Sequence, residues 1–183
     1  YGPPRARRRV ILIAQRLQRE KNTDVAIRIF AGGAPDDWAL EIVGRGPELP
    51  ALRSLAHELG VGDRVSFLGF RDDVPELMRT SSVLLAPCEV EGLGLSVLEA
   101  MSHALPVVAS RAGAHPETVG AAAGARLFSP GDPHEGAFML ADLLADPTGR
   151  DAYGSELARV QRERFTPTAQ AEATDEIYRA VLS

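Results

Sequence analysis

Two carboxylates and two glycines stand close together in the stretch Glu91-Gly92-Leu93-Gly94-Leu95, with Glu99 four residues further on. The short apolar run at 82–86 precedes them and Ala100-Met101-Ser102 follows, an order that reads as strand, loop and helix. Gly92 and Gly94 remove side chains from the loop, so the amides of Gly94 and Leu95 at the helix start can approach an anion. A phosphate suits that place. Ionised Glu91 and Glu99 bracket it and can only accept hydrogen bonds, so their natural partners are hydroxyls. A ligand with phosphates in its middle and hydroxyls at both ends, such as a nucleotide joined to a sugar, satisfies all three features. Glu99 also falls opposite Leu98, Met101 and Leu105 at about 100° per residue. Taken alone, it is accounted for as an ordinary solvated carboxylate.

Cations come from a second stretch. Residues 15–21 hold Arg16, Arg19 and Lys21, and Lys21 is the only lysine in the chain. A compact ammonium on a flexible stem suits a point charge beside crowded phosphates, although a lone loop lysine is ordinarily just solvated. Gly69-Phe70-Arg71 could set a backbone edge and an aromatic ring beside a base, or Phe70 could simply be core. Pro116-Glu117 could border the same site. His57, His103, His115 and His134 show no paired metal-ligand spacing among themselves or with Cys88, so no metal site is expected. His57 and His134 read as surface residues. A Gly-x-Ser-x-Gly elbow and a Walker loop are both missing from the sequence, which leaves serine-hydrolase and P-loop chemistry without their defining residues.

The elements that must position these groups alternate. Strands are expected at 10–14, 38–43, 64–68, 82–86, 106–109 and 125–128. The first is an unbroken apolar run, as a strand covered on both faces requires. Between them, Asn22 or Thr23 would cap a helix ending at Gly32-Gly33, and Leu49, Leu52, Leu55 and Leu59 keep helical spacing before Gly60. Asp72 or Asp73 would cap a brief helix with Pro75 in its first turn. Residues 110–117 read as loop, and helices at 133–145, 148–164 and 167–182 finish the chain after a turn and cap at 129–132. Such alternation implies right-handed crossovers and a Rossmann-like, doubly wound parallel sheet of about six strands with helices on both faces. Sheets of that kind bind ligands beyond the carboxyl ends of their strands, which is where the loops named above fall.

Composition agrees. A chain of 183 residues, 45% of them hydrophobic, is one domain able to bury roughly 70% of its unfolded surface. Residues 1–9 read as a linker or tail and 10–183 as the domain. The net charge of −5 argues against a nucleic-acid partner, and the arginines at the start of the chain do not by themselves indicate membrane association. With one cysteine and no apolar run long enough for a membrane span or signal core, a cytoplasmic protein is expected.

Taken together, residues 15–21, 40–47, 65–69 and 91–101, continued by 106–110 and Pro116-Glu117, resemble the donor-binding half of a GT-B glycosyltransferase of family 4. The resemblance covers nearly the whole chain from Val10. It implies retaining transfer of a sugar from a nucleotide-sugar donor, with no cofactor and no bound metal. By similarity, Arg16 and Lys21 would hold the donor diphosphate and stabilise charge on the leaving group. Glu91 would contact the sugar and Glu99 the ribose, and the amides around Leu93, Gly94 and Leu95 would meet sugar and phosphate. Phe70 and Arg71 would lie near the base.

The chain departs from the family pattern at Ala104 and Ala114, where glycine is usual, and at Cys88, a frequent serine. These touch donor choice more than fold. The hydroxyl-bearing acceptor would be bound by an N-terminal Rossmann-like domain, absent from this chain, without which turnover is not expected. Two other functions use the same residues: a non-catalytic nucleotide-sugar-binding module, and a GT-B-like nucleotide-sugar epimerase.

Overall fold

The structure is a computed structural model and describes residues 7–182. Six strands, β1 (Val10–Ala14), β2 (Ala39–Val43), β3 (Val65–Gly69), β4 (Val83–Ala86), β5 (Val107–Ser110) and β6 (Arg126–Phe128), form one sheet in the order β3-β2-β1-β4-β5-β6. Every neighbouring pair is parallel, with β1 and β2 registered from Val10 against Ala39 to Ala14 against Val43. Ile11, Leu12 and Ile13 are wholly buried, which an unbroken apolar strand needs helices on both sides to achieve.

The described residues form the helices α1 (Thr23–Gly33), α2 (Leu49–Glu58), α3 (Val74–Thr80), α4 (Leu95–Ser102), α5 (His115–Thr118), α6 (Pro133–Ala145), α7 (Pro147–Arg164) and α8 (Pro167–Leu182). Helix α1 packs against α2 and α6, and α4 packs against α3 and α7. With right-handed crossovers these two groups lie on opposite faces of the sheet. The Rossmann-like doubly wound sheet expected from sequence is the one observed. No helix of the described residues is long and apolar enough to cross a membrane.

Three local expectations are corrected. Asn22 and Asp73 stand at the N-caps of α1 and α3, yet neither side chain bonds the helix amides. Asn22 is left-handed with φ 50°, and the Asp73 carboxylate is taken by the Arg71 guanidinium, which donates two hydrogen bonds at 2.7 and 2.6 Å. Helix α1 ends at Gly33, as the sequence implied, and a Cβ on Gly33 would run into the backbone of Ala137 on α6, so the glycine also permits close helix packing. The stretch 110–117 is not loop throughout, because the short helix α5 begins at His115, with Pro116 in its first turn, where a missing N–H costs no hydrogen bond.

Residues 7–9, which the sequence puts in a tail, are fastened to the domain, while residues 1–6 lie outside those described. Arg7 donates to the carbonyls of Met78 and Ser81 at the end of α3 and to those of His103 and Ala104 after α4, at 2.8 to 3.3 Å. Arg8 forms a two-pronged ion pair with Glu41 on β2, and Arg9 pairs with Asp37. Carbonyls at helix ends carry partial negative charge and no intrahelical donor, so one guanidinium there satisfies several groups at once.

Candidate functional site

Strand order places the site. After β1 the chain moves outward to β2, and after β4 it moves the other way to β5, so the connections leaving these neighbouring strands diverge and open a crevice at their carboxyl ends. The connection after β1 carries Arg16 and Lys21; the one after β4 carries Cys88, Glu91 and Gly94.

The first loop is pinned at several points. Gln15 and Leu17 donate their N–H groups to the carbonyls of Val43 and Arg45, and Leu17 is buried. The Gln15 side-chain amide donates to the carbonyl of Lys21 and approaches the Thr23 hydroxyl, each at 2.9 Å. A 3₁₀ turn, Arg19–Lys21, then delivers the lysine. Its ammonium crosses the crevice and donates to Glu91 Oε2 at 2.9 Å, although the two residues are 70 positions apart. Their side chains are 14% and 23% exposed, so water is largely but not wholly shut out of the pair.

The second loop is held as firmly. The buried Cys88 thiol donates to the Glu20 carbonyl at 3.5 Å, joining the two loops beneath Lys21. Ala114 donates its N–H to the Glu91 carbonyl at 2.9 Å, so the connection after β5 braces Glu91 from behind. Gly94 is buried and left-handed at φ 77°, and turns the chain into α4.

Charge follows from these contacts. Burial alone would raise the Glu91 carboxyl, but the Lys21 hydrogen bond and charge, the nearby His115 ring and the Gly94 N–H together bring it below the ordinary value. Burial likewise opposes the Lys21 ammonium, and Glu91 and the Cys88 sulfur outweigh it, leaving Lys21 above its usual value. Both groups are therefore ionised at neutral pH. His115 is 1% exposed, with Nδ1 3.0 Å from the Ser110 carbonyl, and burial lowers its pKa. A carbonyl accepts only, so Nδ1 carries the proton and the neutral ring stands behind Glu91 and Lys21. Sequence reading passed over His115 because it sought metal-ligand spacing; its position in the connection after β5, on the ligand-binding edge, was the available signal.

The remaining candidates are distributed along the same edge. Arg16 is exposed, and no contact joins it to Lys21, Glu91 or Glu99 among the described residues. Glu99 is half-buried on α4, where its charge acts on His103 one turn later. Phe70 is 70% exposed, which removes it from the core, and the Arg45 guanidinium lies 5.8 Å from its ring centre. Leu93 and Leu95 are exposed at 50% and 73%, on either side of the buried Gly94. Glu117 and Pro116 are exposed, as are His57 and His134. Among the described residues no three His, Cys, Asp or Glu side chains converge in a way that could hold a metal ion.

Comparison with known proteins gives a consistent result. Residues 3–160 match the family Glycosyl transferases group 1. A GDP-mannose-dependent alpha-(1-6)-phosphatidylinositol monomannoside mannosyltransferase of Mycolicibacterium smegmatis is 35% identical over 158 residues, covering 80% of this chain and 41% of that relative. The crystal structure of Anabaena HepE in complex with UDP superposes with a TM-score of 0.85 at 26% identity, over 93% of this chain and 49% of that one. The C-terminal domain of a glycosyl transferase group 1 protein, LpcC of Francisella tularensis, has the same fold, with a TM-score of 0.78 at 23% identity over 86% of each chain. The chain thus spans less than half the length of the mannosyltransferase it matches.

Proposed function

The chain belongs to the family Glycosyl transferases group 1, and from that premise we propose that it is the donor-binding, C-terminal half of a retaining family-4 glycosyltransferase. One observation carries the reading: Lys21 and Glu91, from opposite sides of the crevice, meet 2.9 Å apart at the mouth of α4. A cation, a carboxylate and the first amides of a helix at one point are what a diphosphate joined to a sugar needs. HepE, whose structure holds UDP, supports a nucleoside diphosphate as the common group.

In this proposal Lys21 and Arg16 hold the diphosphate. As the bond between sugar and phosphate breaks, negative charge grows on the phosphate oxygens, and fixed cations with the amides of Leu93, Gly94 and Leu95 stabilise it without reorganising. Glu91 accepts hydrogen bonds from sugar hydroxyls and Glu99 from the ribose, while Phe70 and Arg71 border the base. Arg16 and Lys21 supply the positive charge that a metal ion supplies elsewhere. The acceptor is oriented, and water excluded, by a second domain. A cytoplasmic location belongs to the same proposal.

Titration of the chain with UDP and GDP, followed by amide NMR, tests the reading: resonances around Gly94 shift if it is right and stay still for both if it is wrong. Joined to an acceptor-binding domain, the chain should catalyse donor-dependent transfer that Glu91→Gln impairs. An epimerase would convert the donor sugar with no acceptor present, and a binding module would bind without transfer.

A further inference from the structure

Glu91 engages the very groups that a diphosphate would use. Its carboxylate accepts from the Lys21 ammonium at 2.9 Å, and the Gly94 N–H at the entrance to α4 acts on the same carboxylate. We infer that Glu91 serves as an internal anion which weakens the site for a free nucleoside diphosphate relative to the intact nucleotide-sugar. This inference rests on the reading of Lys21 and Gly94 as diphosphate-binding groups.

The physical argument is one of competition. Lys21 has three donors; one goes to Glu91, and the Cys88 sulfur lies against the same ammonium. A diphosphate that reaches Lys21 brings its negative charge next to a carboxylate whose backbone is held in place. The Glu91 backbone is gripped by the Ala114 amide, and Gly113 packs directly against it. The side chain is only 23% exposed, so water can replace a lost partner only in part. A bare diphosphate therefore leaves Glu91 under-satisfied and facing a like charge, a combination that costs affinity. An intact nucleotide-sugar carries hydroxyls next to the phosphate, and these can donate to the carboxylate in place of Lys21. The same group that disfavours the diphosphate favours the donor. Once the sugar has left, the carboxylate reclaims Lys21 and speeds departure of the diphosphate.

The other titratable groups facing the pair are the buried Cys88 thiol, which donates to the Glu20 carbonyl, and the buried His115 ring, whose pKa burial lowers, so the negative charge in the competition comes from Glu91.

Calorimetric titration of the chain and its Glu91→Gln variant with UDP, GDP, UDP-glucose and GDP-mannose tests the inference. Removing the charge while keeping the shape should tighten diphosphate binding roughly three- to tenfold, the scale of a partly screened ion pair. Binding of the corresponding nucleotide-sugar should not tighten, so the preference for donor over diphosphate shrinks. An unchanged or weaker diphosphate affinity in Glu91→Gln, with wild-type binding intact, overturns the inference and leaves the donor-binding reading standing. Binding by neither protein overturns both. Should Glu91→Gln lose its native amide spectrum, Glu91→Asp carries the test: it withdraws the charge by one methylene, and a smaller tightening in the same direction is required.

Discussion

Gly113 lies so close to Glu91 that a Cβ placed on it would come 2.6 Å from the Glu91 carbonyl oxygen and 2.8 Å from its nitrogen, at a backbone φ of +56°. The connection after β5 thereby fixes the carboxylate that the connection after β4 carries. Gly113→Ala should cost roughly 1–3 kcal/mol through strain and overlap and displace Glu91 from Lys21. Gly124→Ala, at φ +75° with nothing within 4 Å, should cost only about 1–2 kcal/mol. Urea unfolding compares the two, and only the first should shift the Lys21 and Glu91 resonances.

Lys21→Ala should weaken UDP and GDP binding by roughly tenfold or more while leaving uridine and guanosine binding nearly unchanged, because the ammonium can attract phosphate but not base or ribose. Calorimetry with the four ligands checks it. An equal loss for nucleosides would show that Lys21 acts on the fold.

Ala104 occupies a left-handed conformation, φ 53°, directly after α4. Its N–H bonds the Met101 carbonyl and that of Leu105 bonds the Ala100 carbonyl, a Schellman closure that favours glycine at this position. The family's usual glycine therefore has a backbone reason. Ala104→Gly should stabilise the chain by about 0.5–1 kcal/mol, with a rise in thermal midpoint as the measure.

Arg7→Met keeps much of the apolar stem and removes the donors that reach the carbonyls of Met78, Ser81, His103 and Ala104. Burial lowers the Arg7 pKa, but a guanidinium stays charged in proteins. Hydrogen bonds to a charged group are worth about 1.5–3 kcal/mol, so the loss should be of that order. Denaturant midpoints measure it, and amide exchange should accelerate first at the end of α4.

His115 and His103 both have pKa values lowered from 6.5, chiefly by burial. In the unfolded chain they take up protons near 6.5, so between that pH and their lower folded values the unfolded state binds more protons. Their contribution to stability is present above about pH 6.5 and is lost as pH falls through the folded values. The thermal midpoint should drop between pH 7 and 5.5, with a shallower slope in His103→Gln. Glu91, lowered from 4.5, adds its own loss only at more acid pH.

Much of the architecture was legible in the order of residues. Unbroken apolar runs such as Val10–Ala14 can be buried on both faces only in a covered parallel sheet, and the periodic leucines between them could only be the covering helices. Asp132 was recognisable as a cap, and its side chain does accept from the amides of His134 and Glu135. Asn22 and Asp73 hold the N-cap positions without bonding the helix amides, because a short polar side chain near a helix start has rivals for its bonds, and for Asp73 the rival is Arg71.

By itself the sequence determined the strands and helices, the glycine turn before α4, and the kinds of group that a nucleotide-sugar would require, since each depends on neighbours within a few positions. Only the tertiary structure decided that Lys21 bonds Glu91, that Gly113 and the buried His115 stand behind that pair, and that Arg7 ties the ends of α3 and α4 together. The physical reason is the placing of β1 beside β4: hydrogen-bonded pairing of two strands about 70 residues apart brings their loops within side-chain reach, and no local pattern records that pairing.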